Sequence, residues 1–123
     1  MHLRKILYIS ALVMAVCYAG SAFSLDTDKV IAYPVPFNPK KHSLSVMDKS
    51  AAPLAASMIM MEIYDINGDL VFSRRYASLE AVKWNGRNDS GVMVKPGLYI
   101  IKLEIEDSSG GYGKKLIRIV VNY

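Results

Sequence analysis

Turn-forming pairs cut this chain into pieces too short for a long helix. Asn67-Gly68, Asn85-Gly86, Ser90-Gly91 and Pro96-Gly97 punctuate its middle, and a polar, Gly-rich stretch runs from Asp107 to Gly113. Between these breaks the apolar residues alternate, which is the two-residue period of a strand. Tyr99, Ile101, Leu103 and Ile105 alternate with Ile100, Lys102, Glu104 and Glu106. Turn signals about every 8 to 12 residues predict an antiparallel sandwich or a small barrel.

The other strands follow from the same pattern. His42–Asp48 is predicted as a half-buried strand with Leu44 and Val46 inward. Ile59–Tyr64 places Ile59, Met61 and Ile63 on one face, and Leu70–Arg74 is its return strand. Asn67-Gly68 between them predicts a hairpin, because both residues tolerate positive φ. Lys115, Ile117, Ile119 and Val121 form one face of the last strand. Lys49–Ser57 reads as an Ala-rich loop with room for one helical turn. Tyr76–Trp84 reads as a turn leading into a strand that ends at Trp84. Pro34, Pro36 and Pro39 make residues 33–39 stiff and non-helical.

The N-terminus has the order of a secretory signal peptide. Arg4 and Lys5 precede an apolar run, Ile6–Ala19, followed by the small residues Gly20, Ser21, Ala22 and Ser24. The run is shorter than the roughly 20 residues that span a bilayer as a helix. Cleavage is expected after Ser24, with cleavage after Ala22 as the second choice. The expected organisation is a signal peptide over 1–24, a linker over 25–33 and a β-sandwich over 34–123. Cys17, the one cysteine, falls in the segment to be removed. The mature chain would then have no disulfide, thiol nucleophile or cysteine-ligated metal, and must rely on its apolar core. Removing Arg4 and Lys5 leaves 13 basic against 11 acidic residues. The basic pairs are dispersed among acids, which argues against a nucleic-acid surface.

Few residues offer chemistry. His42 is the sole histidine beyond the signal segment, too little for a Ser-His-Asp triad or a histidine-rich zinc site. Asp65, Asn67 and Asp69 alternate like calcium ligands, and Asp89 with Asn88 and Ser90 could join them at one end of the sandwich. An EF-hand loop would need Gly where Leu70 stands and Glu where Tyr76 stands. A hairpin turn with Asp side chains capping backbone amides is the favoured reading. Glu104 and Glu106 share an outward face and read as solvated rather than as a glycosidase pair. Trp84, the single tryptophan, is expected to close one end of the core. Exposed tyrosines, Tyr112 and Tyr123 among them, are candidates for a contact surface.

Five motifs then resemble, in order, those of a known family. Tyr33-Pro34-Val35-Pro36-Phe37-Asn38-Pro39, Tyr64-Asp65-Ile66-Asn67-Gly68, Trp84-Asn85-Gly86 with Gly91, Gly97-Leu98-Tyr99 and Lys114-Lys115 are similar to those of bacterial immunoglobulin-like domains. These domains resemble the C-terminal part of the flagellar hook-capping protein, and relatives end many cargo proteins of type IX secretion. Val35 and Asn85 depart mildly from the family pattern. The resemblance implies an immunoglobulin/fibronectin-III-like antiparallel β-sandwich of about seven strands. It assigns structural roles to Tyr33, Pro34, Pro36, Phe37, Asn38, Pro39, Tyr64, Asp65, Gly68, Trp84, Gly86, Gly91, Gly97 and Tyr99.

The expected function is an exported, non-enzymatic interaction or structural module of the envelope or extracellular space. It needs no cofactor, no nucleic acid and no membrane span after cleavage; the sequence does not identify its protein partner, for which envelope or secretion components are the candidates. The alternatives are a type IX sorting or anchoring domain, including a fragment of a larger cargo protein, or a hook-cap-related domain.

Overall fold

The computed structural model describes residues 23–123. The expected signal segment therefore lies outside the described residues, apart from its last two positions. Eight strands form two sheets: β1 (Phe23–Ser24), β2 (Val30–Tyr33), β3 (Leu44–Asp48), β4 (Ala56–Asp65), β5 (Leu70–Tyr76), β6 (Lys83–Trp84), β7 (Gly97–Asp107) and β8 (Gly111–Val121). One sheet runs β1-β8-β7-β4-β5 and the other β2-β3-β6. All pairings are antiparallel except β1 with β8. This is the expected immunoglobulin-like β-sandwich, with seven strands and the two-residue β1 on its edge. No helix occurs among the described residues.

The alternating residues make the core. Ile59, Met61 and Ile63 from β4, Ile101, Leu103 and Ile105 from β7, and Ile119 and Val121 from β8 face Val30, Leu44, Val46 and Trp84 of the smaller sheet. Burying each such side chain contributes about 1.5–3 kcal/mol. Their polar neighbours in sequence lie on the opposite face because the side-chain period is two.

Several local expectations change. Val30–Tyr33, read as linker, is β2 in the smaller sheet. Val30 and Ala32 alternate inward there, and both are buried. Upstream, Leu25 N–H donates to the Tyr112 carbonyl and Thr27 Oγ1 donates to the Lys114 carbonyl. The stretch is thus tied to β8. Lys49–Ala55 is a loop without a helical turn. The hairpin at Asn67-Gly68 is present, but only Gly68 has positive φ. Gly68 N–H donates to the Asp65 carbonyl at 3.0 Å, so Asp65–Gly68 is an ordinary four-residue turn with Gly68 in the left-handed region. A register shift follows, in which Ile63 opposes Phe72 but Tyr64 opposes Leu70. Val71 is the extra residue of this bulge, and its carbonyl accepts a hydrogen bond from Asp89 N–H. The hairpin is thereby joined to the loop that follows β6.

Candidate functional site

Four of the five motifs meet at one end of the sandwich, whereas Lys114-Lys115 lies toward the other end of β8, opposite Glu104 and Leu103. At the shared end Phe37, Trp84 and Tyr99 are buried with Phe72. The Trp84 ring lies 5.7 Å from that of Phe37, 6.3 Å from Phe72 and 6.1 Å from Tyr99, centroid to centroid. Such tilted and edge-on contacts suit the ring quadrupoles. The polar tips are satisfied: Trp84 Nε1 donates to the Arg87 carbonyl at 2.8 Å, and Tyr99 Oη donates to the Lys95 carbonyl at 2.7 Å.

The proline motif closes this end from outside. Phe37 N–H donates to the Val120 carbonyl and accepts, through its own carbonyl, from Asn122 N–H. Pro39 packs directly on Gly86, where any Cβ would overlap its ring. Asn38 Oδ1 accepts from Lys40 N–H, turning the chain toward β3. Tyr33, Pro34 and Pro36 lead into this seat from the surface, with Tyr33 exposed. His42 is exposed and its ring stacks on Phe37 at 5.9 Å. The motif thus forms a plug that orders two loops.

The oxygen-rich residues sit in a neighbouring open groove of about 450 Å³. Asp65, Asp69, Asn88, Asp89 and Ser90 line it, together with Lys95 and Tyr99. Asn67, the fourth residue of the calcium pattern, lies on the turn outside. Asp65 Oδ1 accepts from the amides of Asn67 at 2.9 Å and Asp69 at 3.0 Å. Asn88 Oδ1 accepts from the amides of Ser90 and Val92. Asp89 Oδ1 reaches Ser73 N–H at 3.4 Å. These oxygens shape the turns, as local side-chain to backbone bonds do. No group of three or more His, Cys, Asp or Glu side chains among the described residues is placed to share a metal ion. Gly91 has positive φ at the tip of this loop.

The outward face of the large sheet carries the remaining charged cluster. Lys102 Nζ lies 3.1 Å from Glu104 and 3.7 Å from Glu62. The hydrogen bond from Lys102 draws the Glu104 carboxyl below its usual range, and the same bond raises the Lys102 ammonium. Glu104 and Glu106 share this face, as expected, but an ammonium serves the first of them and the face is open.

The same face has an end where apolar side chains flank Arg118. Leu98 pairs across with Val120, Ile100 with Arg118 and Lys102 with Leu116. Leu98, Leu116 and Val120 are exposed, and Ile100 and Tyr64 beside them are half-buried. An antiparallel sheet with one solvated face ordinarily places polar residues there. The signal was present in the sequence as apolar residues at the outward positions of β7 and β8, masked by the stronger inward alternation. Adjacent exposed apolar side chains mark contact surfaces more often than scattered ones do. Tyr112 also lies on this face, on the β8 row with Leu116 and Val120, whereas Tyr123 Oη donates to the Val94 carbonyl and its ring carries Lys40 Nζ at 4.6 Å.

No family model matches the chain, and no curated protein matches it. Among solved structures it matches a segment of PorZ, described as an essential bacterial surface component of the type IX secretion system of Porphyromonas gingivalis. The match has TM-score 0.52 and 32% identity over 78% of this chain. It also matches a segment of latent, dimeric PorU from the same organism, with TM-score 0.52 and 24% identity over 76% of this chain. At that lower identity the PorU likeness is one of fold alone. The chain spans 12% of the PorZ chain and 9% of the PorU chain. The domain is therefore similar in fold to short segments of PorZ and PorU, and similar in sequence to the one in PorZ.

Proposed function

We propose that this domain is an exported, non-enzymatic interaction module that works with type IX secretion at the bacterial envelope. The observation that carries the reading is the 32% identity to a segment of PorZ over 78% of this chain. The site geometry agrees with it. Most motif residues close one end of the sandwich, and the sheet leaves Leu98, Leu116 and Val120 exposed around Arg118 for a partner. Fold alone does not assign a function; the sequence likeness to PorZ and the exposed residues Leu98, Leu116 and Val120 support this one.

The direct experiment is deletion of the gene in a host that has type IX secretion, followed by assay of surface-exposed cargo. Loss of cargo from the surface, restored by the wild-type chain but not by a chain with Leu116→Lys and Val120→Lys, is the expected result. Undisturbed cargo in the deletion strain would overturn it. The runner-up is a sorting or anchoring unit, supported by the five ordered motifs. It predicts that a reporter fused ahead of residues 23–123 reaches the cell surface. A reporter left in the periplasm would remove that reading.

A further inference from the structure

We infer that the notch between β5 and β6 binds the carboxylate of an acidic peptide laid in extended form along the open edge of β5. The notch holds about 210 Å³ and is lined by Ser43, Phe72, Arg74, Lys83 and Asn85. Arg74 stands opposite Met61 of β4, on the core side of the large sheet, in one row with Phe72 and Tyr76. Its guanidinium is 5.4 Å from the centre of the Phe72 ring, a cation–π contact that steadies it at the opening between the sheets. Lys83 belongs to the facing wall, and Tyr76 Oη donates to its carbonyl at 2.8 Å, joining the two walls.

The lining offers donors and no anion. It includes no Asp or Glu. Arg74 and Lys83 are both exposed, and among the described residues no carboxylate is within ion-pair distance of either. The Asn85 side-chain oxygen already accepts from Arg87 N–H at 3.1 Å, which leaves its amide nitrogen as a donor. Ser43 adds a hydroxyl. A guanidinium, an ammonium and an amide around one notch suit a planar carboxylate, which an Arg meets with two parallel bonds.

The adjoining edge indicates what carries that carboxylate. Strand β5 is the last of its sheet. Asp89 covers its start, donating its N–H to the Val71 carbonyl at 3.1 Å and holding Oδ1 3.4 Å from Ser73 N–H. Both of those β5 groups point away from β4. The alternation of an antiparallel ladder then makes the Ser73 carbonyl and the Arg75 N–H and carbonyl point away as well, and no described strand pairs with them. A strand added there sets one side chain beside Arg74 on the core side, at cross-strand distance. The open stretch is short, so a second copy docked edge to edge would set Arg74 and Arg75 against their own like charges; charge complementarity selects an acidic peptide instead. The site lies on the other face of the sheet from Leu98, Leu116 and Val120 and does not depend on the secretion reading.

The test titrates the isotope-labelled full chain with the blocked peptide acetyl-Thr-Val-Asp-Val-Thr-amide and follows the backbone amide resonances. The peptide should shift the amides of Arg74, Arg75 and Lys83 and slow the exchange of Arg75 N–H. Its Asn counterpart should bind on the order of tenfold more weakly, the worth of one charge-assisted bond, and so should the acidic peptide with Arg74→Gln or Lys83→Gln protein. Arg75→Gln, changed on the outward face, should bind as wild type does. No shift at those amides with millimolar peptide overturns the inference, and so does equal binding of the Asn peptide. An equal loss with Arg75→Gln overturns it by reducing the effect to general charge attraction. Inorganic phosphate that binds as tightly as the peptide overturns it by making the notch a site for free anions. The Asn peptide needs no variant, so a variant that fails to fold leaves the test decisive.

Discussion

Gly86 lies with its α-carbon against the ring of Pro39, at φ 78°, in a space that no side chain can share. The two residues belong to motifs far apart in sequence, and their contact locks the proline segment over Trp84. Replacing Gly86 by Ala should therefore strain the backbone and displace Pro39 together, costing about 2–4 kcal/mol. Gly91 has φ 83° but open space around it. Its Ala variant should suffer the backbone cost alone, about 1 kcal/mol. Denaturant midpoints of the two variants check the ordering, and equal losses would deny the Pro39 contact its role.

Trp84 reports on the same plug. It is the protein's single tryptophan and is 1% exposed. Native emission should be blue-shifted and should move red on unfolding in one step with the loss of β-sheet circular dichroism. Trp84→Ala should destabilise the domain by about 3–5 kcal/mol, the usual cost of emptying a large buried aromatic site. A red-shifted native spectrum would place the ring in water.

Asp48 is the one buried charged residue among those described, at 8% exposure. Burial pushes its carboxyl upward, but hydrogen bonds from Ser50 and Leu54 outweigh burial, and the net shift is downward. The Ser50 and Leu54 amides each lie 2.9 Å from a carboxylate oxygen, which fixes the Lys49–Ala55 loop. A depressed native pKa means the ionised form stabilises the fold above the unfolded value of about 3.9, and that this contribution is lost as pH falls through the native value. Asp107 behaves in the same direction, held down first by the Gly111 amide. Asp48→Ala should cost about 1–3 kcal/mol at neutral pH by orphaning the two amides. Its penalty should shrink below about pH 4. Denaturant melts at neutral and acid pH measure this, and a penalty independent of pH would exclude the carboxylate as its source.

Leu116 and Val120 should be dispensable for folding. Leu116 is 67% exposed and Val120 42% exposed, so the double Lys variant should stay within about 0.5 kcal/mol of wild type for each change. A loss of surface cargo in that variant then reports on binding. A large drop in its melting temperature would instead make the face part of the fold.

Inward and outward faces were legible from residue order alone, because alternation is a property of the extended backbone itself. Tyr99–Ile105 and Leu44–Val46 therefore fell on the predicted sides, and Trp84 in the core. The hairpin at residues 65–69 was also legible in place, though not in type. The turn conformation depends on the register of β4 with β5, and there the bulge at Val71 left Asn67 without positive φ. Val30–Tyr33 is extended by its own residues, but its place as a strand of the smaller sheet is set by its neighbour, β3. The candidate surfaces divided in the same way. The sequence alone determined the alternating strands and the turns of a β-sandwich, and a signal-like start. Only the tertiary structure decided that Pro39 meets Gly86, that Asp48 holds a loop, that Leu98 and Val120 share an open face, and that Phe23 belongs to a sheet. Each of those is a contact between distant positions, and such contacts follow from how the two sheets stack rather than from any local preference of the chain.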